Sequence, residues 1–170
     1  LLEIDFPRLD YIDFYQVVDE KIEKKSSGNL IAFDNREIKY RNPVFEITIP
    51  TKKTRTFYFK FESKTVVQFP LILHSRQKFE EKLNKEQLLH GFHFGILLLS
   101  TLYGILLFRL MKDWGNLLFS LYSISVLFIF LILTGIGFQY LWKNNPEINH
   151  LNSFAIFSSL VFGLQFSRII

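Results

Sequence analysis

The stretch from Leu117 to Phe138, LLFSLYSISVLFIFLILTGIGF, contains no charged residue over a length that matches the thickness of a membrane. A helix rises about 1.5 Å per residue, so about 20 residues cross a hydrocarbon core of roughly 30 Å. Each Leu, Ile, Phe or Val near the centre favours insertion by roughly 0.3 to 0.6 kcal/mol, and fifteen such residues are present, which gives on the order of 4 to 9 kcal/mol. The stretch therefore predicts a transmembrane helix.

Two more apolar runs lie on either side of this stretch. Residues 88–108 read LLHGFHFGILLLSTLYGILLF, and residues 151–170 form a shorter run that contains Gln165. Three such runs joined by short connections would need an implausibly large soluble core around them. Residues 88–170 are thus predicted to be a transmembrane region with helices at about 88–108, 117–138 and 151–170. Aromatic residues at the ends of the runs are typical of a membrane interface: Trp114, Tyr140 and Trp142.

The charged residues are concentrated in the first half of the chain. Of the 20 Lys and Arg residues, the ones after Gln87 are Arg109, Lys112, Lys143 and Arg168, whereas the net charge of +4 divides equally between the parts before and after Gln87. No basic stripe interleaved with aromatic residues is present, and a nucleic-acid partner is therefore not expected. The absence of cysteine excludes disulfides and zinc or redox sites of the cysteine type.

Charge alone does not settle the orientation in the membrane. The turn FRLMKDWGN, Phe108 to Asn116, carries Arg109 and Lys112, which favour the cytoplasmic side. Four basic residues just before the first helix favour the reverse orientation, although the rule weakens for long preceding domains. These residues are Arg76, Lys78, Lys82 and Lys85.

Residues 1–74 are predicted to form an antiparallel β-sandwich. In RTFYFKFE, residues 55–62, phenylalanines alternate with polar residues, which is the period-two pattern of a half-buried strand. The stretch 45–49 alternates similarly, and residues 50–54 between the two are predicted to connect them as a hairpin. Further strands are predicted at Leu1–Phe6, Tyr11–Val18, Lys21–Lys24 and Val66–His74.

Residues 75–87, SRQKFEEKLNKEQ, connect the two halves. They favour a helix, are rich in charge and contain neither Gly nor Pro. Two interpretations remain open at this stage. One is a juxtamembrane helix that continues into the first span and passes movements of the β-domain into the membrane, and the other is a solvated spacer.

The membrane half resembles a known receptor family. The stretch TGIGFQYLWKNNP, Thr134 to Pro146, with FRLMKDWGNLLFSLY and the closing FSRII, resembles the membrane region of bacterial seven-transmembrane receptors with diverse intracellular signalling modules. Lys143 stands where that family commonly has proline. Upstream, NREIKYRNPVFEITIP, Asn35 to Pro50, resembles the end of the jelly-roll-like extracellular sensor domain that often precedes such a region.

This resemblance implies an α+β membrane protein, with a jelly-roll-like antiparallel β-sandwich outside the cytoplasm followed by transmembrane helices. It implies a multi-pass protein of the bacterial inner membrane whose N-terminal domain is periplasmic or extracellular. The chain would be a fragment: an N-terminally truncated sensor and the first three of seven helices, without the cytoplasmic cyclase, kinase or phosphatase that supplies the output. The turn at 108–116 would be cytoplasmic. The alternative is an accessory or transport-related membrane subunit, which the absence of ionisable residues in 117–138 disfavours.

The sequence predicts no catalytic, cofactor or metal site within the chain. His90 and His93 lie three positions apart on a helix, yet no Asp, Glu or Cys in that helix completes a ligand set. A phosphate-binding glycine loop and a nucleophile elbow are both absent from the sequence.

Two groups of residues are candidates for binding and packing. Asn35, Arg36, Tyr40 and Arg41 combine planar hydrogen-bonding groups with an aromatic ring, as in sites for carbohydrates or other small solutes, which the jelly-roll resemblance also implies. The alternative is that Arg36 and Arg41 form structural salt bridges. Separately, the spacing Gly91-x-x-x-Gly95 allows close helix approach, with packing inside the bundle favoured over a homodimer.

Overall fold

The chain divides into two units in a computed structural model that describes residues 1–18, 21–49, 54–63 and 69–169. The first unit consists of Leu1–Glu80 together with Leu133–Asn149, and the second consists of Glu81–Ile132 with His150–Ile170. The first unit is built on β-strands and the second on helices. The segment that connects two helices, Leu133–Asn149, therefore belongs with the β-domain.

The β-domain consists of two three-stranded antiparallel sheets. The strand order is β4-β1-β6 in one sheet and β3-β2-β5 in the other. This arrangement, with long apolar helices after it, confirms the predicted antiparallel β-sandwich followed by membrane helices. The strands are β1 Leu2–Ile4, β2 Tyr11–Val18, β3 Lys21–Ser27, β4 Val44–Phe45, β5 Tyr58–Glu62 and β6 Leu71–Leu73.

The predicted hairpin between the stretches 45–49 and 55–62 is wrong. Strand β4 pairs with β1 in one sheet, whereas β5 pairs with β2 in the other. The alternation of phenylalanines identifies the buried face of each strand but carries no information about its neighbour. Of the proposed turn, residues 50–54, positions 50–53 lie outside the described residues.

Phe14 on β2 is the centre of the core between the sheets. Its ring is fully buried, and the ring centres of Phe45, Phe59 and Phe57 lie 4.8, 5.0 and 5.7 Å from it. Burial of one such side chain contributes roughly 1.5 to 3 kcal/mol. These rings come from β2, from β4 and from the β5 region, so they hold the two sheets together.

A buried polar cluster lies where the chain leaves the sheets. The carboxylate of Glu3 is fully buried, with Oε2 2.8 Å from Nε2 of His74 and Oε1 accepting a 2.7 Å hydrogen bond from Asn42. Asn42 also donates to Asp5 at 2.6 Å. A buried carboxylate requires such partners because it has lost its hydration. The cluster therefore fixes His74, two residues before the first helix begins.

Helix α1 runs without a break from Arg76 to Met111. The linker predicted at 75–87 and the first predicted span thus form one helix, consistent with the absence of Gly and Pro in the linker. Among the described residues, two helices are long and apolar enough to cross a membrane, namely α1 and α2, Trp114–Leu133. The last helix, α4, spans Asn152–Ile169, and its assignment as a third span stays a prediction.

Helix α2 ends at Leu133 rather than at Phe138 as predicted. Gly135 adopts a φ of 73°, in the left-handed region that favours glycine, and a short helix α3, Ile136–Tyr140, follows it. A Cβ at Gly135 would lie 2.9 Å from Cβ of Pro7 in the β-domain. The apolar composition continued past the end of the helix because these residues are buried against protein rather than within the span.

A tight turn connects α1 and α2 in the second unit. Lys112 has a φ of 59° and its N–H donates to the carbonyl of Phe108 at 2.8 Å, which ends α1. The Asp113 carboxylate then accepts hydrogen bonds from the N–H of Gly115 and the side chain of Asn116, both at 3.1 Å. Asp113 thereby caps the start of α2, where a negative charge is also favoured by the helix dipole.

The close contact between α1 and α2 is made by Gly104, and helix packing at the Gly91 and Gly95 pair stays a prediction. A Cβ at Gly104 would lie 2.4 Å from Oγ of Ser120, whereas a Cβ at Gly91 or Gly95 would meet no described atom within 4 Å. Gly91 and Gly95 lie on the opposite face of α1 from Gly104 and from His93, whose ring packs 4.5 Å from that of Phe130. The glycine spacing does not indicate which face of the helix meets α2.

Candidate functional site

The inner face of the sheet β3-β2-β5 changes from apolar to polar towards β3. Lys25 lies opposite Phe14, and Glu23 lies opposite Gln16. Residues opposite each other in an antiparallel pair share one face of the sheet, so these polar groups point to the same side as the Phe14 core. The space between the sheets is consequently dry around Phe14 and polar beside it.

Two adjoining cavities open in this polar region and share Lys25 in their walls. One has a volume of about 360 Å³, with Lys25, Asn35, Glu37 and Phe45 in its wall. The other, of about 400 Å³, is lined among others by Gln16, Glu23, Glu46 and Arg55. We call the two together the sheet cleft. These volumes fall within the range of roughly 300 to 1,000 Å³ that is usual for small-molecule sites.

Four polar side chains of the sheet cleft form two pairs. Nζ of Lys25 lies 2.7 and 2.9 Å from the two carboxylate oxygens of Glu37. Nε2 of Gln16 donates to Oε2 of Glu23 at 2.9 Å. A ligand with several hydroxyl groups can both donate to these carboxylates and accept from the ammonium, so it can replace these contacts without leaving a charge unpaired.

The second feature of this unit is the contact between the β-domain and the segment Leu133–Asn149, which we call the return loop. The Arg36 guanidinium is its centre: the side chain is only 4% exposed and lies 5.4 Å from the ring centre of Phe138 and 4.9 Å from that of Phe33. The two rings meet edge to face at 5.5 Å. A cation held between desolvated aromatic rings is stabilised by their quadrupoles.

Backbone carbonyls hold the Arg36 guanidinium in this position. Nη1 donates to the carbonyls of Tyr40 and Arg41 at 2.8 Å, and Nη2 donates to that of Gly28 at 3.0 Å. Burial lowers the pKa of Arg36 to about 10, so the group stays protonated at neutral pH. Among the described residues, its partners are carbonyl oxygens and ring faces rather than a carboxylate. Arg36 is therefore a structural side chain, although not through the salt bridge that was the alternative prediction.

The far end of the return loop is fixed by hydrogen bonds to the β-domain. Nδ2 of Asn149 donates to Oδ1 of Asn29 at 2.8 Å, and Oδ1 of Asn149 accepts from Nε1 of Trp142 at 2.9 Å. The N–H of Phe33 also donates to the carbonyl of Lys143 at 3.0 Å. Together with the contact between Phe138 and Arg36 nearer the start of the loop, these bonds hold the loop along much of its length.

Trp142 is buried inside this contact, and its predicted position at a membrane interface stays a prediction. It is 8% exposed, and a Cβ on Gly137 would lie 2.0 Å from its ring, so only glycine fits beneath it. Tyr140, on the same loop, is 58% exposed. An aromatic residue at the end of an apolar run can belong to a protein core, since the hydrophobic pattern is the same in both environments.

The four predicted ligand-binding residues do not converge on one cleft. Asn35 lines the sheet cleft, while Arg36 and Arg41 contact the return loop, Arg41 by donating to the carbonyl of Thr134 at 3.3 Å. The ring of Tyr40 packs edge to face against Phe79 in the first turns of α1, at 5.2 Å.

Several residues of the candidate site carry a weak signal in the sequence or none. Lys25 and Glu37 in the cleft gave a weak signal, since polar residues on β3 fall opposite the buried alternation of β2. For Asn149 no sequence signal exists, because its partner Asn29 is far away along the chain.

Two family models match the chain, one in each half. Residues 1–75 match the family described as 7TMR-DISM extracellular 2. Residues 86–170, half of the chain, match the family described as 7TM diverse intracellular signalling. No curated protein and no solved structure matches the chain.

Proposed function

Because the chain belongs to the 7TM diverse intracellular signalling family, we propose that its N-terminal domain binds a small polar solute outside the cytoplasm and controls a cytoplasmic output through the membrane helices. Family membership makes the chain part of a membrane signalling receptor, with an extracellular sensor domain ahead of a transmembrane region. This replaces the alternative of a transport-related subunit. A cyclase, kinase or phosphatase is the proposed output.

The sheet cleft is the observation that carries the ligand proposal. Its wall combines an ammonium, a carboxylate and an amide, from Lys25, Glu37 and Asn35, with the apolar edge of Phe45. Carbohydrates present hydroxyl groups that donate and accept together with apolar ring faces, which is the chemistry this wall complements. A carbohydrate or a similarly hydroxylated solute is therefore the proposed ligand.

The proposed topology rests on how the chain connects the two units. Helix α1 leaves the β-domain and α2 returns to it, since the return loop after Leu133 packs with the β-domain. The turn at Lys112–Asp113 is at the other end of both helices. With the sensor domain outside, as its family description indicates, this turn is cytoplasmic. The proposed location is the bacterial inner membrane.

A ligand screen against the 170-residue chain in lipid nanodiscs tests the proposal. Monosaccharides and oligosaccharides are screened by isothermal titration calorimetry, and hits are repeated with Lys25→Ala and Glu37→Gln. The expected result is binding that weakens at least about tenfold in both variants, because each removes a charged group that would hydrogen-bond the ligand hydroxyls, a loss of about 1.4 kcal/mol or more. Glu62→Gln is the matched control, since Glu62 is exposed on the opposite face of the same sheet and is in the wall of neither cavity. Equal binding by all variants, or no binding by any sugar, would remove the assignment.

A further inference from the structure

The short segment Phe33–Glu37 lies between the sheet cleft and the return loop, and its side chains are divided between them. Asn35 and Glu37 line the cleft. Phe33 and Arg36 contact Phe138 of the return loop. Adjacent residues, Arg36 and Glu37, thus belong to different sites while sharing one peptide bond.

On the cleft side, the position of the segment is set by an interaction that a ligand would change. Glu37 is held by the ammonium of Lys25 through both carboxylate oxygens. Any ligand that binds between these two groups must replace or lengthen this pair. The backbone at Glu37 then loses the restraint that its side chain supplies.

On the loop side, the same backbone supports an arrangement that tolerates little movement. The Arg36 guanidinium donates hydrogen bonds to the carbonyls of three residues, and the N–H of Phe33 donates to the carbonyl of Lys143. A planar guanidinium makes these bonds together only in a narrow range of orientations. A displacement at Glu37 is therefore expected to weaken the contact with the return loop.

The segment also reaches the start of the first membrane helix. Nη1 of Arg36 donates to the carbonyl of Tyr40, and the Tyr40 ring packs on Phe79, which is buried in the first turns of α1. The segment is thus linked through Tyr40 to the start of α1, and it contacts the return loop directly through Phe138.

We propose that the segment Phe33–Glu37 couples occupancy of the sheet cleft to the attachment of the return loop, with Glu37 sensing the cleft and Arg36 holding the loop. For its ligand this inference rests on the proposed function. The coupling itself does not, because it is a property of the unliganded chain. A ligand can shift the loop by no more than its difference in affinity for the attached and released states, and release of the loop must in turn change the cleft.

Hydrogen–deuterium exchange on the whole chain in nanodiscs tests the coupling without any ligand. Glu37→Gln keeps the size of the side chain and removes the charge that pairs with Lys25. We expect exchange of the return-loop amides, 137–145, to become at least about threefold faster. Glu62→Gln, the same substitution at an exposed position on the other face of the same sheet, should leave these amides unchanged.

Two further variants keep the test decisive. Arg36→Lys should accelerate the return-loop amides directly; if that variant does not fold, Asn149→Ala serves in its place and should also accelerate exchange in residues 33–37. The coupling is overturned if Glu37→Gln leaves the return loop as protected as in the unaltered chain while a loop variant releases it. It is equally overturned if Glu37→Gln and Glu62→Gln accelerate exchange to the same extent. A failed sugar screen would remove the ligand assignment but would not change the exchange results, which test the coupling separately.

Discussion

The side-chain amide of Asn149 donates to both the side-chain and the main-chain oxygen of Asn29, at 2.8 and 3.3 Å, across 120 positions of sequence. Asn29 follows strand β3, whereas Asn149 lies just before the last helix. The pair therefore joins the sensor domain to a loop that two membrane-region helices share. The return loop is therefore fixed to the sensor domain immediately before the last helix begins.

Replacement of Asn149 by alanine should release the end of the return loop. The change removes the acceptor of the Trp142 indole N–H and the donor to Asn29, leaving buried groups unsatisfied at a cost of about 1 to 3 kcal/mol. We expect faster hydrogen exchange in 137–149 and a lower melting temperature of the β-domain. Asn144→Ala, on an exposed part of the same loop, is the control and should behave as the unaltered chain.

Gly137→Ala should displace the Trp142 ring. The added methyl group would lie 2.0 Å from the ring, and overpacking of this kind costs about 1 to 3 kcal/mol. In a Trp114→Phe background, the fluorescence of Trp142 reports its surroundings alone, since the chain has two tryptophans. The expected result is a shift of emission to longer wavelength as the ring becomes hydrated. An unchanged spectrum would show that the loop accommodates the methyl group without releasing the ring.

Gly104→Ala should weaken the packing of α1 on α2. Its Cβ would lie 2.4 Å from Oγ of Ser120 and 3.1 Å from the carbonyl oxygen of Asn116, so the helices must separate, at about 1 to 3 kcal/mol. Thermal denaturation in detergent should show a lower midpoint for this variant. Gly95→Ala is the matched control, since its Cβ meets no described atom within 4 Å. Equal losses in the two variants would contradict the assignment of Gly104 as the contact.

The cysteine-free sequence allows a direct test of topology. In intact cells, a membrane-impermeant thiol reagent should label Asn144→Cys in the return loop and should not label Asn116→Cys in the turn after α1. Both positions should react after the membrane is permeabilised. Ready labelling of Asn116→Cys in intact cells would reverse the proposed orientation.

The sequence was informative where local periodicity decides the outcome. The uncharged run in 117–138 predicted a membrane helix, and the structure has α2 at Trp114–Leu133. Strand β2 has the predicted bounds, Tyr11–Val18, because its buried and exposed residues alternate regularly. The pairing of strands could not be predicted in this way, because the same alternation is compatible with several neighbouring strands. Strands β4 and β5, predicted to form a hairpin, lie in separate sheets.

In the candidate site, too, the sequence indicated which residues are of interest but not which groups they contact. Sequence patterns drew attention to the cluster from Asn35 to Arg41, because it is rich in polar and aromatic groups. Their side chains nevertheless contact three different places, the cleft, the return loop and α1, because the backbone points each side chain in a different direction. Gly91 and Gly95 had the spacing for helix contact, yet Gly104 lies on the face that meets α2.

By itself, the sequence determined that a β-rich domain precedes apolar helices, since hydrophobic burial follows period and length, which are local properties. The tertiary structure decided that the loop after α2 packs with the sensor, that Trp142 is buried there, and that Arg36 is held by carbonyls rather than by an acid. These outcomes depend on groups far apart in the chain, whose approach is fixed only when the whole domain closes around them.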